Sequence, residues 1–265
     1  MAITVIEYSV LINLRKSSLL PENPSILEIG QQNWYGDVPM EILGAHITEA
    51  YGNDQAGIEK VAAELMDIGR RDGEFKSFEL VQFFYNFVFN NRSYTAVDMH
   101  GGPEAIRANL NEPLNLDQQY DVVTNIGTAE HVFNVYQVFK TIHDATAPEG
   151  LMIHSAPMLG WPDHGFFTFQ PTLFFDLAEA NDYQVCVLGV GQPGPFKIFD
   201  IGTREQFVTL AASGRIPKMA EIACVLKKGA TEKPFQAPMQ GIYFGDMPKE
   251  SLEHWRGQHD HGSPV

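Results

Sequence analysis

The stretch Tyr120–Pro157, YDVVTNIGTAEHVFNVYQVFKTIHDATAPEGLMIHSAP, decides the fold of this chain of 265 residues. Tyr120–Thr124 is a short apolar run of the kind that forms a strand buried in a parallel sheet. Val132, Val135, Phe139 and Ile142 then recur at helical spacing, so a helix with one apolar face follows. Pro148-Glu149-Gly150 breaks that helix, and Leu151–Ile153 opens a second apolar strand. Strand, helix and strand of this length make a right-handed crossover in a parallel sheet. The polar segment Thr124–His131 then falls at the carboxyl end of the first strand, where open α/β sheets bind ligands.

Working outward, Ser25–Gly30 and Tyr94–Asp98 read as earlier strands of the same sheet, each ending in or near a carboxylate. Met1–Leu20 and Ser77–Asn90 read as helices. Between them Tyr35–Lys76, with a helical candidate at Ile58–Ile68, is long for a connection and reads as a lid or as a surface insertion. Downstream, Pro171–Asn181 is a helix, and Gln184–Val190 and Ala220–Lys227 are the sixth and seventh strands, joined by an elaborated connection over Gly191–Lys218. Residues 229–265 form a tail of little regular pattern. No repeat and no second domain of ordinary size is visible, so residues 1–265 are expected to form a single domain.

Composition narrows the function. A formal charge of −15 disfavours a broad nucleic-acid interface, which needs Lys and Arg against phosphates. No run is long enough to span a bilayer, and Met1–Leu20 lacks the layout of a secretion signal. The two cysteines, Cys186 and Cys224, lie in strand-like segments and read as buried thiols of a cytoplasmic protein. The expected partner is a small-molecule substrate, with no nucleic acid and no membrane; the oligomeric state is left open.

The motifs in the central stretch resemble those of class I S-adenosylmethionine-dependent methyltransferases. Asp121 opens a strand, Glu130-His131-Val132 begins the next helix, and Pro148-Glu149-Gly150 precedes the following strand, with Glu149 departing from the usual glycine. The resemblance implies a Rossmann-like α/β domain: a mostly parallel seven-stranded sheet, helices on both faces, and an antiparallel final strand. It also implies S-adenosylmethionine as cofactor and a small-molecule acceptor, with a mild preference for a hydroxyl oxygen of a sugar or secondary metabolite. In SILEIGQQNW, Glu28 and Gly30 match the acidic and glycine positions of the family's first motif, while Gln32 stands where a second glycine is expected.

Carried over residue by residue, the resemblance puts Glu28, Gly30, Gln32 and Asp98 against the methionine and ribose parts of the cofactor. Asp98 has the chemistry for ribose hydroxyls; its other reading is a cap on the turn Met99–Pro103. Asn109 and Leu110 would face adenine, Asn109 accepting through its amide oxygen, and Asn125, Ile126 and Gly127 would line the methyl-donor side. Methyl transfer from a sulfonium demands alignment of donor and acceptor, and a hydroxyl acceptor must also lose a proton. His131 is the first candidate base and His164 the second, although Glu130-His131 can equally order the loop and cap the helix. Glu130, Trp161 and Asp163 are expected to wall the acceptor pocket. Glu130, His131, His154 and His164 have no recognised ligand spacing, and the tail residues His254, His259 and His261 read as a solvated segment, so no metal is expected. Two opposing readings remain. One is a scaffold in which Gln31–Trp34 fills the cofactor space, and the other is a nicotinamide-dependent oxidoreductase, which suffers more from the missing glycines.

Overall fold

The computed structural model describes residues 2–73, 75–192, 194, 196–243 and 253. In chain order, β1 (Ala2–Ile3) is followed by α1 (Val5–Lys16), β2 (Ser25–Ile29), β3 (Asn33–Trp34), α2 (Met40–Tyr51), α3 (Gln55–Arg70) and α4 (Lys76–Phe89). Then come β4 (Ser93–Val97), β5 (Tyr120–Ile126), α5 (Val135–Ala145), β6 (Thr146–Leu159), α6 (Pro171–Asn181), β7 (Gln184–Gln192), β8 (Lys197–Asp200), α7 (Arg204–Ala212) and β9 (Ala220–Lys227). One seven-stranded sheet runs in the order β4-β2-β5-β6-β9-β7-β8. Its first four strands are parallel, as the crossover reading required. β9 lies antiparallel between β6 and β7, and β8 folds back antiparallel on β7.

The seven strands are not quite the expected set. The segment read as a connection over Gly191–Lys218 supplies β8 and α7, while between β4 and β5 only an isolated bridge, Val97 to Ile106, extends the parallel edge. The charged, short run Lys197–Asp200 has too little apolar periodicity to be read as a strand from sequence; its partner β7 gives it that form. β1 and β3 make a separate two-residue parallel ladder that ties the start of the chain to the loop after β2.

Side-chain alternation divides the interior. Ile26, Val122, Leu151, Ile153 and Val225 join residues of α1 and α4 in one apolar cluster. Leu27, Ile29, Val123, Met152 and Leu226 join residues of α5 and α6 in the other. β2 is buried at every position, as a central parallel strand should be. α1 begins with a capping box: the Thr4 side chain accepts from the Ile6 N–H, and Glu7 reaches back to the Thr4 N–H at 2.9 Å. Inside Tyr35–Lys76, the pair α2 and α3 contributes Leu43, Ile47 and Ile68 to the α1/α4 cluster.

Local chemistry accounts for two residues of the family motifs. Glu149 adopts φ +62°, the left-handed conformation for which a glycine is usual, and Lys227 pairs with its carboxylate at 2.5 Å. Asp121 works at the opposite end of the sheet from the ligand side: it accepts from the Ser25 N–H and hydroxyl at 2.8 Å each and pairs with Arg92. Cys186 and Cys224 are both free thiols, the latter buried in β9. The tail packs on α6 through reciprocal bonds between Asn181 and Gln236; His254, His259 and His261 lie outside the described residues. Among the described residues no helix is long and apolar enough to cross a membrane.

Candidate active site

Two cavities open at the carboxyl ends of β2, β4, β5 and β6. One is a cleft of about 430 Å³ lined by Gly30, Asp98, Asn109, Leu110, Thr128 and His131, among others. The second, of about 410 Å³, is lined by Ile126, Gly127, Glu130, His131, Trp161 and His164, with Glu7, Asp37 and Glu221 completing an acidic wall. His131 belongs to both.

The turn after β2 is shaped by side chains that face the protein and not the cleft. Gly30 has φ +79° and donates its N–H to the Val97 carbonyl at 2.8 Å, which joins the ends of β2 and β4. Gln32 is fully buried; its amide nitrogen donates to the carbonyls of Gly30 and Ile126 at 2.7 Å each, which staples β2 to β5. Gln31 accepts from the Gly102 N–H at 2.6 Å. The Trp34 ring packs against Tyr8 and Phe84. The bulk of this tetrapeptide therefore leaves the cleft open.

Asp98 stands just past β4. One carboxylate oxygen accepts from the Gln31 N–H at 2.9 Å and the other from the His100 N–H at 2.7 Å. It caps the turn, as its second reading expected, and also borders the cleft. Leu110 gives the cleft an apolar wall, fixed by Asn111, which accepts from the Asn134 N–H and amide at the start of α5.

Five expected positions sit otherwise than the resemblance implies. Glu28 is fully buried and lines neither cavity; it accepts from the Gln32 N–H at 3.1 Å and from the Tyr94 hydroxyl. Gln32 likewise lines neither. Asn125 alternates away from Ile126 into the sheet, where its oxygen accepts from the Ala129 N–H at 3.1 Å and its nitrogen contacts His154 at 3.2 Å. Asn109 does border the cleft, but its amide oxygen already accepts from the N–H and side chain of Asn111. Asp163 borders only a shallower recess with His131 and His164.

The loop after β6 brings distant residues together. The N–H groups of Phe166 and Phe167 donate to the Glu130 carbonyl at 2.8 and 3.2 Å, which places His164 Nε2 3.6 Å from the Glu130 carboxylate. His131 Nε2 is 3.8 Å from the same oxygen, and the two imidazole centres are 4.9 Å apart. Burial lifts the Glu130 carboxyl to about 7. Burial, and then the neighbouring His164, hold His131 below the usual imidazole range. His154 is a core residue, pushed by burial to about 3.

The sequence reading missed most of the acidic wall. Glu7 sits on the buried face of α1 and accepts from the Ser155 hydroxyl at 2.5 Å; Glu221 interrupts an otherwise apolar strand and is lifted to about 8 by burial and then by Glu7, Glu130 and Asp37. A charged residue inside an apolar pattern is the signal that could have found both.

Buried carboxyls also make a pH prediction. Glu28 is lifted to about 7, chiefly by burial. Its folded-state value is above the unfolded one, so its stabilising effect is complete below the ordinary carboxylate range and is lost as pH rises through about 7. The loss for Glu28 alone is on the order of 3 kcal/mol. Urea unfolding between pH 5 and pH 8 should show stability falling in the native chain and falling less in Glu28→Gln. Equal slopes would contradict the assignment.

Among known proteins, residues 45–181, more than half of the chain, match the family model described as a methyltransferase domain. No curated protein matches the sequence significantly. Solved structures with a similar fold include the N-methyltransferase NodS from Bradyrhizobium japonicum WM9 in complex with S-adenosyl-L-homocysteine, with a TM-score of 0.44 at 11% identity over 85% of this chain and 88% of that one. An S-adenosylmethionine-dependent methyltransferase from Mesorhizobium loti gives 0.41 at 13% identity over 82% and 96%. The chain belongs to the methyltransferase domain family.

Proposed function

We propose that the chain methylates a hydroxyl oxygen of a small polar molecule, held in the acid-lined cavity beside the cofactor cleft. The observation that carries this reading is the position of His131, whose side chain borders both spaces. The cleft has the size and chemistry for a nucleoside: a paired-oxygen acceptor in Asp98, close backbone at Gly30, and an apolar wall in Leu110. When bound, S-adenosylmethionine supplies an activated methyl group. Asp98 would take the ribose hydroxyls, Leu110 and Asn109 would border adenine, and Ile126 and Gly127 would flank the donor side. His131 would accept the acceptor's proton, with Trp161 and Glu130 holding the acceptor in line. Glu28, Gln32 and Asn125 would act behind the site, setting the strand ends that carry these groups.

A second reading has its own support. Among the described residues the cavity is bordered by Glu7, Asp37, Glu130 and Glu221 and by no Lys or Arg, an environment that attracts a cationic amine. Incubating the protein with methyl-labelled S-adenosylmethionine and matched sets of hydroxyl and amine compounds tests both. Label in an ether product supports the hydroxyl reading, label in an amine product replaces it, and a protein that binds no cofactor returns the scaffold reading.

A further inference from the structure

We propose that Glu130, His131 and His164 bind one divalent first-row transition-metal ion where the acceptor cavity meets the cofactor cleft. Each residue offers one donor atom, and the three atoms lie within 4.8 Å of one another. Glu130 is fully buried, and neither of its carboxylate oxygens has a hydrogen-bond partner among the described residues. A buried carboxylate with no donor is costly, and such groups are normally paired or bound to a metal. Imidazole nitrogens of His164 and His131 stand 3.6 and 3.8 Å from one of these oxygens.

Those separations suit a shared ion. Donors placed about 2.1 Å from a tetrahedral centre lie about 3.4 Å apart, so the Glu130–histidine separations need a few tenths of an ångström and the histidine–histidine separation a shift of up to about 1.4 Å. Side-chain torsions of His131 and His164, each more than a third exposed, can supply that shift. The backbone is already arranged for it. The Glu130 carbonyl takes the N–H groups of Phe166 and Phe167, and a Cβ at Gly165 would come within 2.9 Å of that carbonyl and 3.2 Å of the Glu130 Cγ. Only a glycine lets the His164 loop approach so closely.

Two imidazoles and one carboxylate select zinc, cobalt or nickel over magnesium or calcium, which prefer all-oxygen shells. Three protein ligands leave coordination positions open toward the cavity, the arrangement of a catalytic site and not of a structural one. If the hydroxyl reading holds, an ion here would polarise the acceptor oxygen and ease loss of its proton, and His131 would then serve as a ligand instead of as the base. Metal binding itself does not rest on that reading.

The test uses the full chain, stripped with chelator and titrated with Co²⁺ and then with Zn²⁺, in the absence of cofactor and acceptor. Calorimetry gives stoichiometry, and visible absorption of Co²⁺ reports low-symmetry nitrogen and oxygen ligation. One tight equivalent is expected in the native protein, weakened about a hundredfold or more in both Glu130→Gln and His164→Ala, since even outer-shell changes cost ten- to a hundredfold. Circular dichroism establishes that the variants are folded, and His164→Ala, on an exposed loop, serves if Glu130→Gln does not fold. The tail histidines are present in every variant and set the background. Absence of a tight equivalent, or equal affinity in native and folded variants, overturns the proposal; failure of methyl transfer alone leaves the binding result standing.

Discussion

Replacing Asp98 with Ala should weaken binding of S-adenosylhomocysteine about a hundredfold, measured by calorimetric titration of the folded protein. The magnitude follows from the bonds at stake. A hydrogen bond to a charged group contributes about 1.5–3 kcal/mol, and the two ribose hydroxyls would meet two carboxylate oxygens. Both oxygens are held in place by the N–H groups of Gln31 and His100, so the acceptor is already oriented before ligand arrives. Those same bonds create a competing explanation: Asp98→Ala could loosen the turn instead of removing a ligand contact. Asp98→Asn separates the two. It keeps the shape and one acceptor oxygen, so a smaller loss than in the Ala variant points to direct contact. Affinity within about threefold of native in a folded Asp98→Ala protein would rule out the ribose role.

The parts of this fold that were legible in sequence are those encoded by local periodicity. α6 and β9 begin and end where their apolar patterns do, and β2, β5 and β6 each declare themselves by a short apolar run, Ile26–Leu27, Val122–Val123 and Leu151–Ile153. Elements held by partners were not legible. The ladder of β1 with β3 and the hairpin of β8 on β7 are short segments whose form comes from the strand beside them. The site divides in the same way. Asp98, Gly30 and His131 could be placed because each follows a strand that could be recognised. Asn125 was misplaced by one step of strand alternation, which turns it toward His154 instead of the cavity.

Gln32 shows the opposite failure, since sequence reports the size of a side chain and not its direction. Its bulk suggested a blocked cofactor site, yet it is fully buried and bonded to two strand-end carbonyls. The meeting of Glu130 with His164 is beyond any pattern in the chain. It depends on two backbone hydrogen bonds across 36 and 37 residues, between the Phe166 and Phe167 N–H groups and the Glu130 carbonyl.

His131→Ala should lower kcat by a factor of about 10² to 10⁴ while changing the affinity for S-adenosylhomocysteine less than about threefold. The asymmetry follows from the geometry. His131 borders the cleft, but Asp98, Gly30 and Leu110 also line it and are untouched by the change, so cofactor binding has other anchors. On the acceptor side Trp161 has committed its N–H to the Ala220 carbonyl at 3.1 Å and Glu130 is fully buried, so the cavity's second imidazole, His164, is the group to compare, and His164→Ala is measured in parallel. Kinetics with the acceptor identified by the labelling screen separate a chemical role from a positioning one. A residue that only shapes the pocket would raise KM and leave kcat within a few fold, whereas loss of proton acceptance, or of a metal ligand, lowers kcat. A folded variant that keeps kcat within tenfold of native would remove His131 from the chemistry. It would also favour an acceptor, such as an amine, whose proton is lost without the help of His131.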